Sequence, residues 1–133
     1  VEKIEKEYGD RVKVVIKFYP YKYRDYARIS SEAALAAYDQ GRFEQMHRIM
    51  LKNSPRLDRA SLISYAGSAG LDVAKFTRSI DSKKNDRTIE RDIKLAVSLD
   101  LYNTPTFFIN GRKVIGNVPY EYLKRIVAEE MQK

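Results

Sequence analysis

Cysteine and tryptophan are absent from the 133 residues, and histidine occurs once, as His47. Without a thiol the chain can form no disulfide, thiolate nucleophile or sulfur-ligated zinc, and one imidazole cannot build a poly-histidine metal site. No metal and no cofactor is therefore expected, and the cysteine count says nothing about redox compartment. No apolar run approaches the roughly 18 to 20 residues that span a bilayer, and Val1-Glu2-Lys3 opens nothing like a signal peptide. A membrane span is not expected. Glycine-rich phosphate loops, nucleophile elbows, zinc helices and paired-carboxylate signatures are missing as well.

What is present is a composition of 44% hydrophobic and 32% charged residues, enough apolar surface to offset chain entropy in one hydrophobic core. A single domain over residues 1–133 is expected. The net charge of +7 favours encounters with anionic surfaces, but the bases are interleaved with acids, as between Lys83 and Arg91, so a solvated cationic surface accounts for them.

The first nine residues read as a helix already in progress: Val1, Ile4 and Tyr8 share a face, Gly9 lies past the end, and no N-cap residue precedes them. A natural chain extending further toward the N-terminus is the expectation. In VKVVIKF, Val12, Val14, Ile16 and Phe18 alternate with Lys13, Val15 and Lys17, the period of a strand over 12–18. A Pro-interrupted, Tyr-rich loop follows at Tyr19 to Arg24, and then four or five helices in succession.

Tyr26, Ile29, Ala33, Ala36 and Ala37 mark one helical face, ended by Gly41, and Phe43, Met46 and Met50 mark the next. Leu57-Asp58 with Leu62, and Leu71-Asp72 with Phe76, each place an Asp N-cap inside a hydrophobic staple. Ile89, Ile93, Ala96 and Val97 line one side of a longer helix that ends near Leu101. At Thr104 the period changes again. TFFIN is expected to be a strand buried on both faces. Asn110-Gly111 suits a type I′ turn that returns RKVI antiparallel, and Pro119 suits the first turn of a closing helix with Tyr120, Leu123, Ile126 and Val127 inward.

The stretch ISSEAALAAYDQGRFEQMHRIML, then LDVAKF, then TPTFFINGRKVIGNVPYEYL with Gly116 and Pro119, closely resembles DsbA-like thiol:disulfide oxidoreductases of the thioredoxin superfamily, over about Val1 to Met131. The resemblance implies an α/β, incomplete thioredoxin-like fold with a helical insertion between the strand at 12–18 and the hairpin at 106–115. Residues 1–25 and 101–133 would form the thioredoxin-core part and 26–100 the insertion. It implies that Thr104-Pro105, with Asn103 before it, is the substrate-binding loop, and that Pro105 is cis; by frequency alone Pro105 would be trans, since cis accounts for about 5 to 6% of X-Pro bonds. It implies polypeptide partners bearing thiols or disulfides, and it favours an extracytoplasmic setting.

One departure from the family is large. The strand, the Cys-x-x-Cys pair and the helix start that carry the family's chemistry have no counterpart here, and Val1 to Tyr8 matches only the tail of the cysteine-bearing helix. Exchange needs a sulfur nucleophile, so the catalytic set within this chain is empty. The same gap is expected to leave two strand edges unpaired, to be met by direct re-pairing or by self-association with another chain.

The remaining candidates have plainer explanations. His47, between Phe43 and Leu51 on one helix, reads as structural, and Met46 and Met50 as core. Lys22, Arg24 and Arg28 among Tyr19, Tyr21, Tyr23 and Tyr26 could form a stacking platform, but no nucleic-acid signature accompanies them, and no nucleic-acid partner is expected. The acids and bases from Asp81 to Asp92 read as a charge-laced helix surface. Two functions compete with the oxidoreductase: a non-catalytic thioredoxin-like peptide-binding module, and a superfamily relative with another nucleophile, such as a glutathione-dependent transferase or isomerase, whose active residue would lie upstream.

Overall fold

A computed structural model describes residues 1–133. In chain order the elements are α1 (Glu2–Tyr8) with a 3₁₀ turn at Gly9–Arg11, α2 (Ala27–Tyr38), α3 (Phe43–Asn53), α4 (Arg59–Ser68), α5 (Val73–Asp81), α6 (Asp86–Ser98), β1 (Thr106–Ile109), β2 (Arg112–Ile115) and α7 (Tyr120–Met131). The class is α/β, as the sequence implies, and the sheet consists of β1 and β2 alone. The residues gather into two compact units, Phe18–Leu95 and the combination of Val1–Lys17 with Ala96–Lys133.

In the 18–95 unit the aspartates read as N-caps do cap. Asp58 accepts from the Ser61 N–H at 3.1 Å and Asp72 from the Lys75 N–H at 2.9 Å, so α4 and α5 start where those residues place them. Their staple residues, Leu62 and Phe76, are fully buried and join Ala33, Ala37, Met46 and Met50 in one apolar cluster. Small alanines on α2 let the neighbouring helices approach closely, while Phe76, Met46 and Leu62 supply the volume. His47 stacks on Phe43, with ring centroids 5.1 Å apart, in keeping with the structural reading.

Four helices end alike. After α2, α4, α5 and α6 the chain turns through a left-handed residue, Gly41, Gly70, Lys83 and Asp100 respectively. The next N–H then reaches back five residues, as Leu101 does to Ala96 O at 3.0 Å. Only Gly41 was legible as a stop. Lys83 and Asp100 adopt a conformation that local sequence does not advertise.

Several side chains depart from the periodic reading. Tyr26 precedes α2 in a left-handed conformation and is half-exposed rather than part of its buried face. On α6 the inward places go to Ile89, Asp92 and Ala96, leaving Val97 61% exposed. Asp92 is buried because its carboxylate accepts the Phe18 N–H at 3.1 Å, a bond that offsets the desolvation of the charge. The charges between 81 and 92 are not simply a helix surface: Arg28 pairs with Asp86 and with Glu90, and Arg59 grips Asp81 through two bonds of 2.7 Å. A bidentate pair holds the guanidinium plane as well as its charge.

Glu32 is buried on α2. Its Oε2 accepts the Asn85 N–H at 3.2 Å, but Oε1 has no partner, and burial raises the carboxyl pKa above its ordinary value. A raised folded-state pKa means the fold favours the protonated acid, so stability is lost as the pH climbs through that value. Glu32→Gln is therefore expected to raise the urea midpoint at pH 7 and to leave it unchanged near pH 4, below the ordinary glutamate value of about 4.3. Equal midpoints at both pH values would show that the buried charge carries no cost.

In the other unit the Asn-Gly turn forms as its sequence requires. Asn110 and Gly111 have φ of 47° and 89°, and β1 pairs antiparallel with β2 in the register Phe107↔Val114. Phe107 and Ile109 pack with Val114, Val118, Leu123 and Ile126. The other face of β1 is not buried as expected: Phe108 is 43% exposed, with Lys113 over its ring at 6.0 Å. Pro119 sits at the N-cap of α7, one residue before the helix. Glu7 of α1 receives the Tyr120 hydroxyl and the Lys124 ammonium, joining α1 to α7.

The expected strand at 12–18 does not form. Val12 is extended, but the segment belongs to no ladder, and Val14, Val15 and Ile16 are exposed, Val15 to 63%. β-propensity cannot make a strand without a partner to hydrogen-bond. The re-pairing of open edges within the chain does not occur either, since the only ladder is β1 with β2.

Candidate functional site

The loop from Leu99 to Pro105 carries all three residues expected to bind substrate, Asn103, Thr104 and Pro105, and each is exposed. Its entrance is set by the end of α6. Asp100 takes the left-handed position, and Lys113 Nζ on β2 donates to the carbonyls of Leu99 at 2.9 Å and Asp100 at 3.2 Å. A cation at a helix C-terminus meets the negative end of the helix dipole, so this bond anchors the loop to the hairpin electrostatically as well as geometrically.

At its exit the loop is tied twice. The Thr106 hydroxyl donates to Asn103 O at 2.6 Å, and the Gly116 N–H donates to Pro105 O at 2.8 Å. The Thr104–Pro105 peptide bond is cis, as is Ser54–Pro55, which the sequence did not mark. These bonds occupy the carbonyls on either side of Thr104. Its own N–H and C=O take no hydrogen bond within the protein and belong to an exposed residue.

One free donor and one free acceptor on a single residue are what an antiparallel partner strand requires for a hydrogen-bonded pair. The three expected residues thus divide. Thr104 presents main-chain groups, Pro105 follows as the turn into β1, and Asn103 uses its carbonyl to hold the loop closed. No role in this loop was legible for Thr106, Lys113 or Gly116. Gly116, at φ 89°, was the one with a visible signal, because a glycine directly after a strand marks a left-handed turn.

No sulfur nucleophile lies in or beside this loop, because the chain has no cysteine. What the loop offers is one exposed main-chain donor and one acceptor, both on Thr104.

The fold recurs in known proteins. The catalytic domain of Proteus mirabilis ScsC superposes with a TM-score of 0.84 at 26% identity, covering 99% of this chain and 72% of that one. ScsC from the same organism in a compact conformation gives 0.83 at 28% identity over the same shares. Among curated proteins, the Na(+)/H(+) antiporter NhaA of Herminiimonas arsenicoxydans is 34% identical over 110 residues, which is 83% of this chain but only 17% of the antiporter's length. No helix here is long and apolar enough to cross a membrane. The family model described as Thioredoxin matches residues 1–129, and with a helical block set between α1 and the hairpin in the DsbA-like manner, the chain belongs to the thioredoxin family.

Proposed function

We propose that this domain serves thiol–disulfide exchange on polypeptides, with the Asn103–Pro105 loop aligning an extended substrate segment for a sulfur nucleophile carried outside residues 1–133. The observation that carries the reading is the unoccupied N–H and C=O of Thr104, presented between two tied carbonyls. A peptide that exchanges both bonds with Thr104 is held in register along its backbone, whatever its side chains, as suits an enzyme acting on many unfolded substrates.

In the exchange a thiolate attacks one sulfur of a substrate disulfide, the second sulfur leaves as thiolate, and a mixed disulfide joins enzyme to substrate. A second enzyme thiolate then breaks that bond, leaving the substrate reduced and the enzyme oxidised; oxidation of a dithiol runs the same steps backward. Residues 1–133 supply only the alignment. One of the solved relatives, from Proteus mirabilis ScsC, is itself a catalytic domain, which favours an enzyme over a passive module for the parent of this domain.

The test compares the protein encoded by the whole gene with residues 1–133 alone, using a peptide that contains two cysteines. The whole product is expected to oxidise or reduce it catalytically, and the 133 residues to bind it without turnover. Binding by both with turnover by neither would replace this reading with the non-catalytic peptide-binding module.

Two further readings rest on specific observations. The similarity to a stretch of NhaA antiporters favours a parent in which the domain accompanies a Na⁺/H⁺ transporter. The unpaired, exposed Val14 to Ile16 favours strand pairing with another chain when residues 1–133 are isolated. In-register antiparallel pairing of two copies would set Lys13 opposite Lys17 twice, a repulsion that limits it.

A further inference from the structure

We infer that Thr106 is a positioning residue for substrate alignment, its hydroxyl holding the loop so that Thr104 meets an incoming strand with both main-chain groups free; this rests on the proposed exchange function. Thr106 opens β1, where its backbone pairs with Ile115. The strand does not need its side chain for that pairing. The Oγ instead turns back three residues to Asn103 O at 2.6 Å, closing the bend that contains Thr104 and Pro105.

That bond acts in two ways. It satisfies the carbonyl next to the binding residue, which would otherwise be an exposed acceptor competing for the peptide's N–H. It also fixes Asn103, so that the orientation of the following Thr104 N–H is set by a hydrogen bond rather than left to loop motion. Gly116 performs the matching task on the other side through Pro105 O at 2.8 Å. With both ties in place the loop meets its ligand already ordered, and the ordering cost is not drawn from the binding energy.

A hydroxyl is the only part of Thr106 the tie uses, so valine removes it while keeping shape and β-propensity, and serine keeps it while removing the methyl group. In the whole gene product, T106V is expected to raise KM for an extended dithiol peptide about fivefold, the worth of one ordinary hydrogen bond, with kcat unchanged. T106S is expected to restore KM to within about twofold of the parent.

A purely structural role would show as a lowered urea midpoint in T106V with KM tracking it, and T106S, which packs less well, would then be the worse variant. An unchanged KM in T106V, or a T106S enzyme as impaired as T106V, overturns the inference while leaving the exchange function standing. Absence of turnover in the unmutated whole product overturns the function itself.

Discussion

Replacing Phe76 with alanine is expected to destabilise the 18–95 unit by about 3–5 kcal/mol, read as a fall in the urea midpoint at constant slope. The ring is fully buried at the centre of a cluster drawn from α2, α3, α4 and α5. Its removal loses transfer free energy and leaves a cavity that the alanines of α2 are too small to fill. Total stabilities lie at about 5–15 kcal/mol, so a loss of this size leaves little margin. Leu51→Ala is the matching control: Leu51 lies on α3 but is exposed, and an effect within about 0.5 kcal/mol is expected. Similar losses from the two variants would mean that Phe76 does not occupy the core.

Ile126→Ala is expected to cost about 2–5 kcal/mol and to unfasten the hairpin from α7. Only Val114, Leu123 and Ile126 are buried in that cluster, with Phe107, Ile109 and Val118 packed around them. Meanwhile Val14, Val15, Ile16 and Phe108, all apolar, contribute little because water reaches them. A core this small has few contacts to redistribute. Hydrogen exchange at the ladder amides between Thr106 and Ile115 should speed up markedly in the variant, and protection equal to the parent's would show that the hairpin is held by something other than this cluster. Since the hairpin carries Thr106 and Lys113, the same loss is expected to loosen the loop at Thr104.

Local chemistry was readable wherever a residue's requirement is met within a few positions along the chain. Asn110-Gly111 needs only its own two φ angles, and Asp58 and Asp72 need only amides three residues ahead. Those features appear in the structure where the sequence places them. Periodicity was less dependable on α6. There Asp92 lies inward because a carboxylate is required by the Phe18 N–H, 74 positions away, and Val97 is left outside. The strand at 12–18 failed for a related reason: alternation describes which side chains could share a face, but a ladder exists only if another strand is alongside.

The candidate loop shows the same division. The resemblance to a family pointed to Asn103–Pro105. Which of its main-chain groups remain free was not legible, because that depends on where Thr106, Gly116 and Lys113 send their hydrogen bonds.

By itself the sequence determined that these residues contain no thiol chemistry, that a helical block precedes an Asn-Gly hairpin, and that two aspartates start two of the helices. Those are consequences of residue identity and of contacts within about one turn. The tertiary structure alone decided that Val12 to Phe18 joins no ladder, that Asp92 lies inward while Val97 is exposed, and that the N–H and C=O of Thr104 take no hydrogen bond within the protein. Hydrogen bonds and burial are settled by which distant groups arrive at the same place, and no local pattern records that.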